Sequence, residues 1–215
     1  MFQGIDISNH NSHNSKIDWQ TVKDNNNIQF VLLRAGYGQN NIDKSFEYNI
    51  NVLNRIGIPV GIYWDSMALT PEAARKEAKS CLNAIKKKRV EYPVIIKFDR
   101  NSIEYALQHG KNLSRAEIHD IIISFVEEIR SANYFPMIYA NQDYRKNMFA
   151  QNLFDDIDAW YAMYARNADA PYGIWQYKTN GNIKGIEGPV GLNKANLDYK
   201  FSIKKLKLNN LKRRN

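Results

Sequence analysis

The chain has 215 residues, 44% of them hydrophobic, and a formal net charge of +8. That length suits one domain with a sizeable core, and no apolar run is long enough for a membrane span. The charge is uneven: Lys204, Lys205, Lys207, Lys212, Arg213 and Arg214 follow Phe201 with no acid among them, and without them 24 basic residues face 22 acidic ones. The basic character therefore belongs to a C-terminal tail, residues 201–215, suited either to contact with an anionic polymer or to simple solvation. The lone Cys81 excludes an internal disulfide, and within EAKSCLNAI it reads as a small buried apolar residue.

In chain order, Val, Ile, Tyr and Phe-rich runs predict strands at Phe2–Ser8, Gln29–Gly38, Pro59–Ala68, Tyr92–Asp99, Phe135–Asn141, Ala159–Ala165 and Gly173–Tyr177. Helices are predicted at Asp18–Asn26, Lys44–Ile56, Pro71–Lys87 and Ser114–Asn133. Gly57 and Pro59 end the second helix and start the next strand. Thr70 caps the third, with Pro71 at its first position. Ser114 and Glu117 form a capping box for the fourth, whose Ile118, Ile121, Ile122, Phe125, Val126 and Ile129 repeat at helical spacing. Strand–helix alternation predicts a parallel sheet with helical crossovers, and seven or eight strands fit a closed barrel better than an open sheet. The alternation weakens after Phe135.

In such barrels chemistry gathers at the carboxyl ends of the strands. The positions to inspect are Asp6, Arg34 to Gly38, Asp65 to Met67, Lys97 to Asp99, Asn141, Met163 to Arg166, and Gln176 onward.

Several segments carry a family likeness through their order and spacing. They are GIDISNHN at Gly4–Asn11, IDWQTVK at Ile17–Lys23, FVLLRAGYG at Phe30–Gly38 and IGIPVGIYW at Ile56–Trp64. YPVII at Tyr92–Ile96, YGIWQY at Tyr172–Tyr177 and GNIKGIEGPVGLN at Gly181–Asn193 continue the series. Together they resemble the muramidases of glycoside hydrolase family 25. The resemblance implies an α/β fold, a single flattened TIM-like (β/α) barrel over residues 1–200. It also implies cleavage of the β-1,4 bond between N-acetylmuramic acid and N-acetylglucosamine in peptidoglycan, with no cofactor and no metal. Because MFQGIDIS reads directly as a strand and not as a signal peptide, the expectation is cytoplasmic accumulation. Action at the cell wall would then follow release or export by another route.

Glycoside hydrolysis needs one acid to protonate the leaving oxygen and a second carboxylate to stabilise or attack the sugar cation. Two acids at i and i+2 on one strand share a face. The resemblance implies an Asp and a Glu placed this way at the end of the fourth strand, another Asp on the first strand, and one more near the closing Asn. Asp6 stands at the first-strand position. The fourth strand instead reads Lys97 and Asp99, Gly191 replaces the Asp near Asn193, and two tyrosines expected after Trp64 are Asp65 and Met67.

Asp99 is one methylene shorter than the expected acid, and a neighbouring ammonium favours its ionised form, the opposite of what a proton donor needs. Asp65 and Asp99 are expected to flank Lys97 and neutralise it. The candidate catalytic residues are Asp6 and Asp99. The candidate substrate-binding residues are His10, Tyr37, Tyr63, Trp64, Asp65, Lys97, Tyr139, Trp175 and Asn193. Trp160 and Tyr177 could add sugar-stacking walls, although strand aromatics are usually core. Trp19 reads as core, and the pair His10 and His13 is a weak metal signal. Three functions follow: a peptidoglycan hydrolase with a modified, impaired site; a non-catalytic relative that binds glycan or a protein; and a nucleic-acid binder acting through the basic tail.

Overall fold

The computed structural model describes residues 1–11 and 16–211. His13, Lys212, Arg213 and Arg214 lie outside the described residues. The strands are β1 (Phe2–Ile7), β2 (Phe30–Tyr37), β3 (Asn41–Ile42), β4 (Val60–Asp65), β5 (Val94–Lys97), β6 (Pro136–Asn141), β7 (Ala159–Ala162), β8 (Ile174–Gly181) and β9 (Val190–Ala195). The helices are α1 (Trp19–Asn25), α2 (Phe46–Ile56), α3 (Pro71–Ile85), α4 (Arg100–Gln108), α5 (Arg115–Ser131) and α6 (Tyr199–Lys205). Among the described residues, no helix is long and apolar enough to cross a membrane.

The sheet runs β1-β9-β8-β7-β6-β5-β4-β2 and closes through β1–β2, with the two-residue β3 added antiparallel beside β2. An eight-stranded barrel results, as the periodicity predicts. It is not wholly parallel: β9 lies antiparallel to both β8 and β1. The chain there turns back as a hairpin without a crossover helix, which is why the alternating pattern fades in the last third.

Strand alternation splits the core into two layers. Outward residues such as Ile5, Val31, Ile62 and Ile96 pack under the helices. Inward residues Phe30, Leu32, Tyr63, Ile95, Met137 and Trp160 fill the barrel. The caps form as predicted: Thr70 Oγ1 accepts from Ala73 N, Ser114 and Glu117 complete their box, and Gly57 ends α2 at φ 82°. Trp19 and Cys81 are buried.

Two helices escape the predicted pattern. α4 follows directly on β5, and Asp99 is its N-cap, boxed with Ser102. α6 lies inside the stretch expected as a free tail. Tyr199 and Ile203 are buried in the barrel layer, and Leu208 and Leu211 pack against it. Asn209 donates to the carbonyls of Val90 (3.2 Å) and Tyr92 (3.0 Å) and accepts from Phe135 N (2.7 Å). The segment therefore closes the barrel floor, and the expected boundary at residue 200 is corrected: residues 201–211 belong to the domain. Lys204, Lys205 and Lys207 stay exposed on it. Asn209→Ala strands three backbone groups, two carbonyls and one N–H, and is expected to cost about 3 kcal/mol, measured as a lower urea midpoint at an unchanged slope.

Candidate active site

The carboxyl ends of β1, β2, β4, β5 and β8, with the amino half of the antiparallel β9, bring one polar layer to the barrel mouth. Lys97 stands on β5 beside Asp65 on β4, its register partner. Its ammonium bonds Asp65 Oδ1 at 2.9 Å and Asp99 Oδ2 at 2.5 Å. The expected network thus forms. Arg34 on β2 extends it, donating to Asp65 Oδ2 at 3.1 Å and Asp43 Oδ2 at 2.8 Å, and also to Asn9 Oδ1. Asp43, whose side chain is fully buried, also accepts from the backbone of Asn9 and Ser45.

Burial alone lowers the pKa of the Lys97 ammonium, but Asp65 and Asp99 outweigh it and the pKa ends above the ordinary lysine value. Lys97 is therefore charged at neutral pH and is no Schiff-base nucleophile. Both Asp99 oxygens act as acceptors, Oδ2 from Lys97 and Oδ1 from Asn101 N at 3.0 Å. Cap and ion pair together hold its side chain on the helix start, in the role of an anion.

Asp6 belongs to the other half of the mouth. Its Oδ2 accepts from Gln176 Nε2 and Asn193 Nδ2, both at 2.8 Å. Asn193 Oδ1 in turn accepts from Trp160 Nε1 at 2.7 Å, and Gln176 Oε1 accepts from Tyr164 at 2.8 Å. Burial raises the pKa of the Asp6 carboxyl; the two amides and Lys97 oppose this, and the net shift is upward. Gly191 makes this orientation possible. A Cβ there would lie 1.9 Å from Asp6 Oδ2. The carboxyl thus occupies the volume that a side chain at position 191 would need.

The structure separates the predicted substrate residues. Tyr63 and Tyr139 pack against Trp160 as an aromatic floor, with ring centroids 5.5 and 4.8 Å away. Lys97 sits 5.4 Å above the Tyr139 ring. Tyr37 stands on the rim, 41% exposed, and His10 is exposed on the turn after β1. Three predicted positions are corrected. Trp64 points outward, fully buried, and its Nε1 donates to Gly38 O at 3.0 Å. Trp175 alternates with inward Ile174 and Gln176, so it faces away from the mouth, packed on Tyr172 and Tyr177 with Lys194 over its ring. Asn193 is fully buried beneath Asp6 and positions it without reaching the cleft. Tyr177 shares Trp175's outer face.

Sequence reasoning misses the partners Asp43 and Glu77, and marks Gln176 only as a position to inspect. For Asp43 no local signal exists, since its contacts are long-range. Glu77 on α3 is buried and accepts from Ser66 Oγ at 2.6 Å and Met67 N at 2.9 Å. It thereby holds the turn that follows Asp65. Burial pushes its pKa up to about 7, against those two hydrogen bonds. A raised carboxyl pKa contributes stability at low pH that is lost as pH rises from the unfolded value near 4.5 through 7.

Two outcomes follow. Glu77→Gln keeps an acceptor for Met67 and removes the titration. Relative to it, the wild type is expected to lose about 3 kcal/mol between pH 4.5 and 8, read from urea unfolding across pH. Lys97→Met leaves Asp65 and Asp99 facing each other with only Arg34 and the helix cap to hold them. It is expected to cost about 3 kcal/mol, with part of that recovered by adding Asp65→Asn.

Comparison with known proteins places this arrangement. The family model described as "Glycosyl hydrolases family 25" matches residues 5–186. The chain is 25% identical over 203 residues to "Uncharacterized protein YegX" of Escherichia coli K12, covering 90% of this chain and 69% of that protein. Among solved structures, the modular autolysin LytC of Streptococcus pneumoniae, in complex with a synthetic peptidoglycan ligand, superposes with a TM-score of 0.78 at 26% identity. That match covers 89% of this chain and 46% of LytC, so the chain spans about half of LytC's length. The bacterial lysozyme of Streptomyces coelicolor shares the fold with a TM-score of 0.74 at 20% identity, over 98% of both chains. The barrel and the matched residues make this chain a member of glycosyl hydrolase family 25.

Proposed function

We propose that the protein is a peptidoglycan-directed, lysozyme-like protein that binds the glycan and hydrolyses it poorly or not at all. One observation carries this reading: the Lys97 ammonium is bonded to both Asp65 and Asp99. Protonating a glycosidic oxygen requires a carboxyl that holds a proton until the transition state. Asp99 spends both oxygens as acceptors, from an ammonium and a helix N-terminus. Asp6 has the raised pKa, yet its Oδ2 is held by two amides, Gln176 and Asn193, and the Lys97 charge acts against that rise. Among the described residues of the mouth, no pair of carboxyl groups is left to divide the acid and nucleophile roles.

Family membership and the peptidoglycan ligand of LytC support the glycan as target. Tyr37, exposed on the rim above the buried rings of Tyr63 and Tyr139, supports retained binding. Lys204, Lys205 and Lys207, exposed at the opposite end of the barrel, offer a second contact to anionic wall polymers.

The test compares the wild type with a variant carrying Lys97→Asp, Asp99→Glu, Gly191→Asp and Asp65→Tyr. The fourth change removes the carboxylate left without its lysine, and Gly191→Asp forces Asp6 out of its present position. The wild type is expected to sediment with purified peptidoglycan without clearing its turbidity, and the variant to clear it at least about 100-fold faster. Wild-type clearing that Asp99→Asn abolishes, or a failure to sediment with peptidoglycan, overturns the proposal.

A further inference from the structure

Beside the mouth, a cavity of about 490 Å³ opens between the ends of β2 and β4 and the helices α3 and α4. Its walls include Tyr37, Gln39, Asn41, Met67, Glu77 and Tyr105. The volume falls within the range of small-molecule sites, roughly 300–1,000 Å³. Aromatic faces and side-chain amides on a mostly uncharged wall suit a sugar ring, whose C–H face is apolar and whose rim carries hydroxyls and amides. The tyrosines present rigid, amphipathic surfaces that lose little entropy on binding.

The cavity is built by buried groups. Trp64 Nε1 holds Gly38 O from below at 3.0 Å, and Glu77 holds Met67 N at 2.9 Å. Ser80 Oγ bonds Asn40 Oδ1 at 2.7 Å and fastens the loop to α3. Gly38 N donates to Asp65 O at 3.0 Å, and Tyr37 is the register partner of Asp65. The cavity therefore borders the Lys97 network directly, and Tyr37 stands between the two with Arg34 5.7 Å from its ring.

We propose that this lateral cavity is a subsite for one N-acetylated sugar ring of a glycan strand whose neighbouring rings lie over the barrel mouth. Glu77 and Trp64 act as positioning residues for its walls, and Tyr37 and Tyr105 as the contact surfaces. The proposal rests on the glycan-directed function above and adds where the strand extends.

The experiment measures binding of soluble glycan strands released from peptidoglycan, by titration calorimetry, to the wild type, Tyr105→Ala and Gln39→Ala. Gln39 is exposed and Tyr105 half-buried, and neither contributes an atom to the charge network. Each variant is first checked for an unchanged thermal midpoint. The expected result is an affinity loss of about tenfold or more for long strands in either variant, with less than a twofold change for a disaccharide that fills only the mouth. Wild-type affinity for long strands in both variants overturns the subsite and leaves the glycan-binding function standing. A wild type that binds no strand at all overturns both.

Discussion

The mouth of this barrel is organised around one ammonium. Lys97 projects from β5 into a partly enclosed polar layer, its side chain 17% exposed, between carboxylates 9% and 18% exposed. A charge so placed is costly unless it is paired with good geometry, and its removal leaves two anions in its stead. The demand spreads outward. Asp65 bridges Lys97 to Arg34, Arg34 reaches Asp43 and Asn9, and Asp43 fixes the turn into α2. Asp99 ties the same lysine to the first turn of α4. Elements from β2 to α4 are thereby joined through one alternating chain of charges, to which the neutral Asn9 ties the turn after β1.

The other half of the mouth is neutral apart from Asp6, and it works by amides. Asn193 and Gln176 both donate to one Asp6 oxygen, while Trp160 and Tyr164 orient those amides in turn. Gly191 is the condition for this arrangement, because any side chain there would collide with the carboxyl. The replacements relative to the family pattern therefore act together. Asp65 compensates Lys97, and Gly191 makes room for the turned Asp6. The scaffold beneath keeps its aromatic floor and its closed sheet. These features fit the proposed reading, in which the carboxylates serve as structural anions beside a glycan site.

How much of this was legible in sequence varies by residue. Seven of the strands, four helices and the Thr70, Ser114 and Gly57 caps follow from local periodicity and capping chemistry, whereas β3 and β9 do not, and the Lys97 network follows from charge set against the family resemblance. α4 carries a local signal in Asp99-x-x-Ser102, a capping pair at the same residue that stands as the candidate acid. α6 was obscured by charge: its lysines suggested a solvated tail, whereas Tyr199, Ile203, Leu208 and Leu211 carry the docking. Trp64 and Trp175 lie near strand ends, but the alternation turns both away from the mouth. In each case the neighbouring residue points inward.

The sequence by itself determined the family likeness, the barrel class and the presence of a cation among the expected acids, because these depend on residue identity and on spacings of two and 3.6. Only the tertiary structure decided which way Asp6 faces, that Asp43 and Glu77 are buried partners, and that the C-terminal lysines ride on a floor plug. Those outcomes depend on contacts between residues far apart in the chain, such as Asp6 with Asn193 and Asn209 with Tyr92. No local pattern encodes such distances. They are set when the sheet closes and space at one strand is taken by a side chain from another.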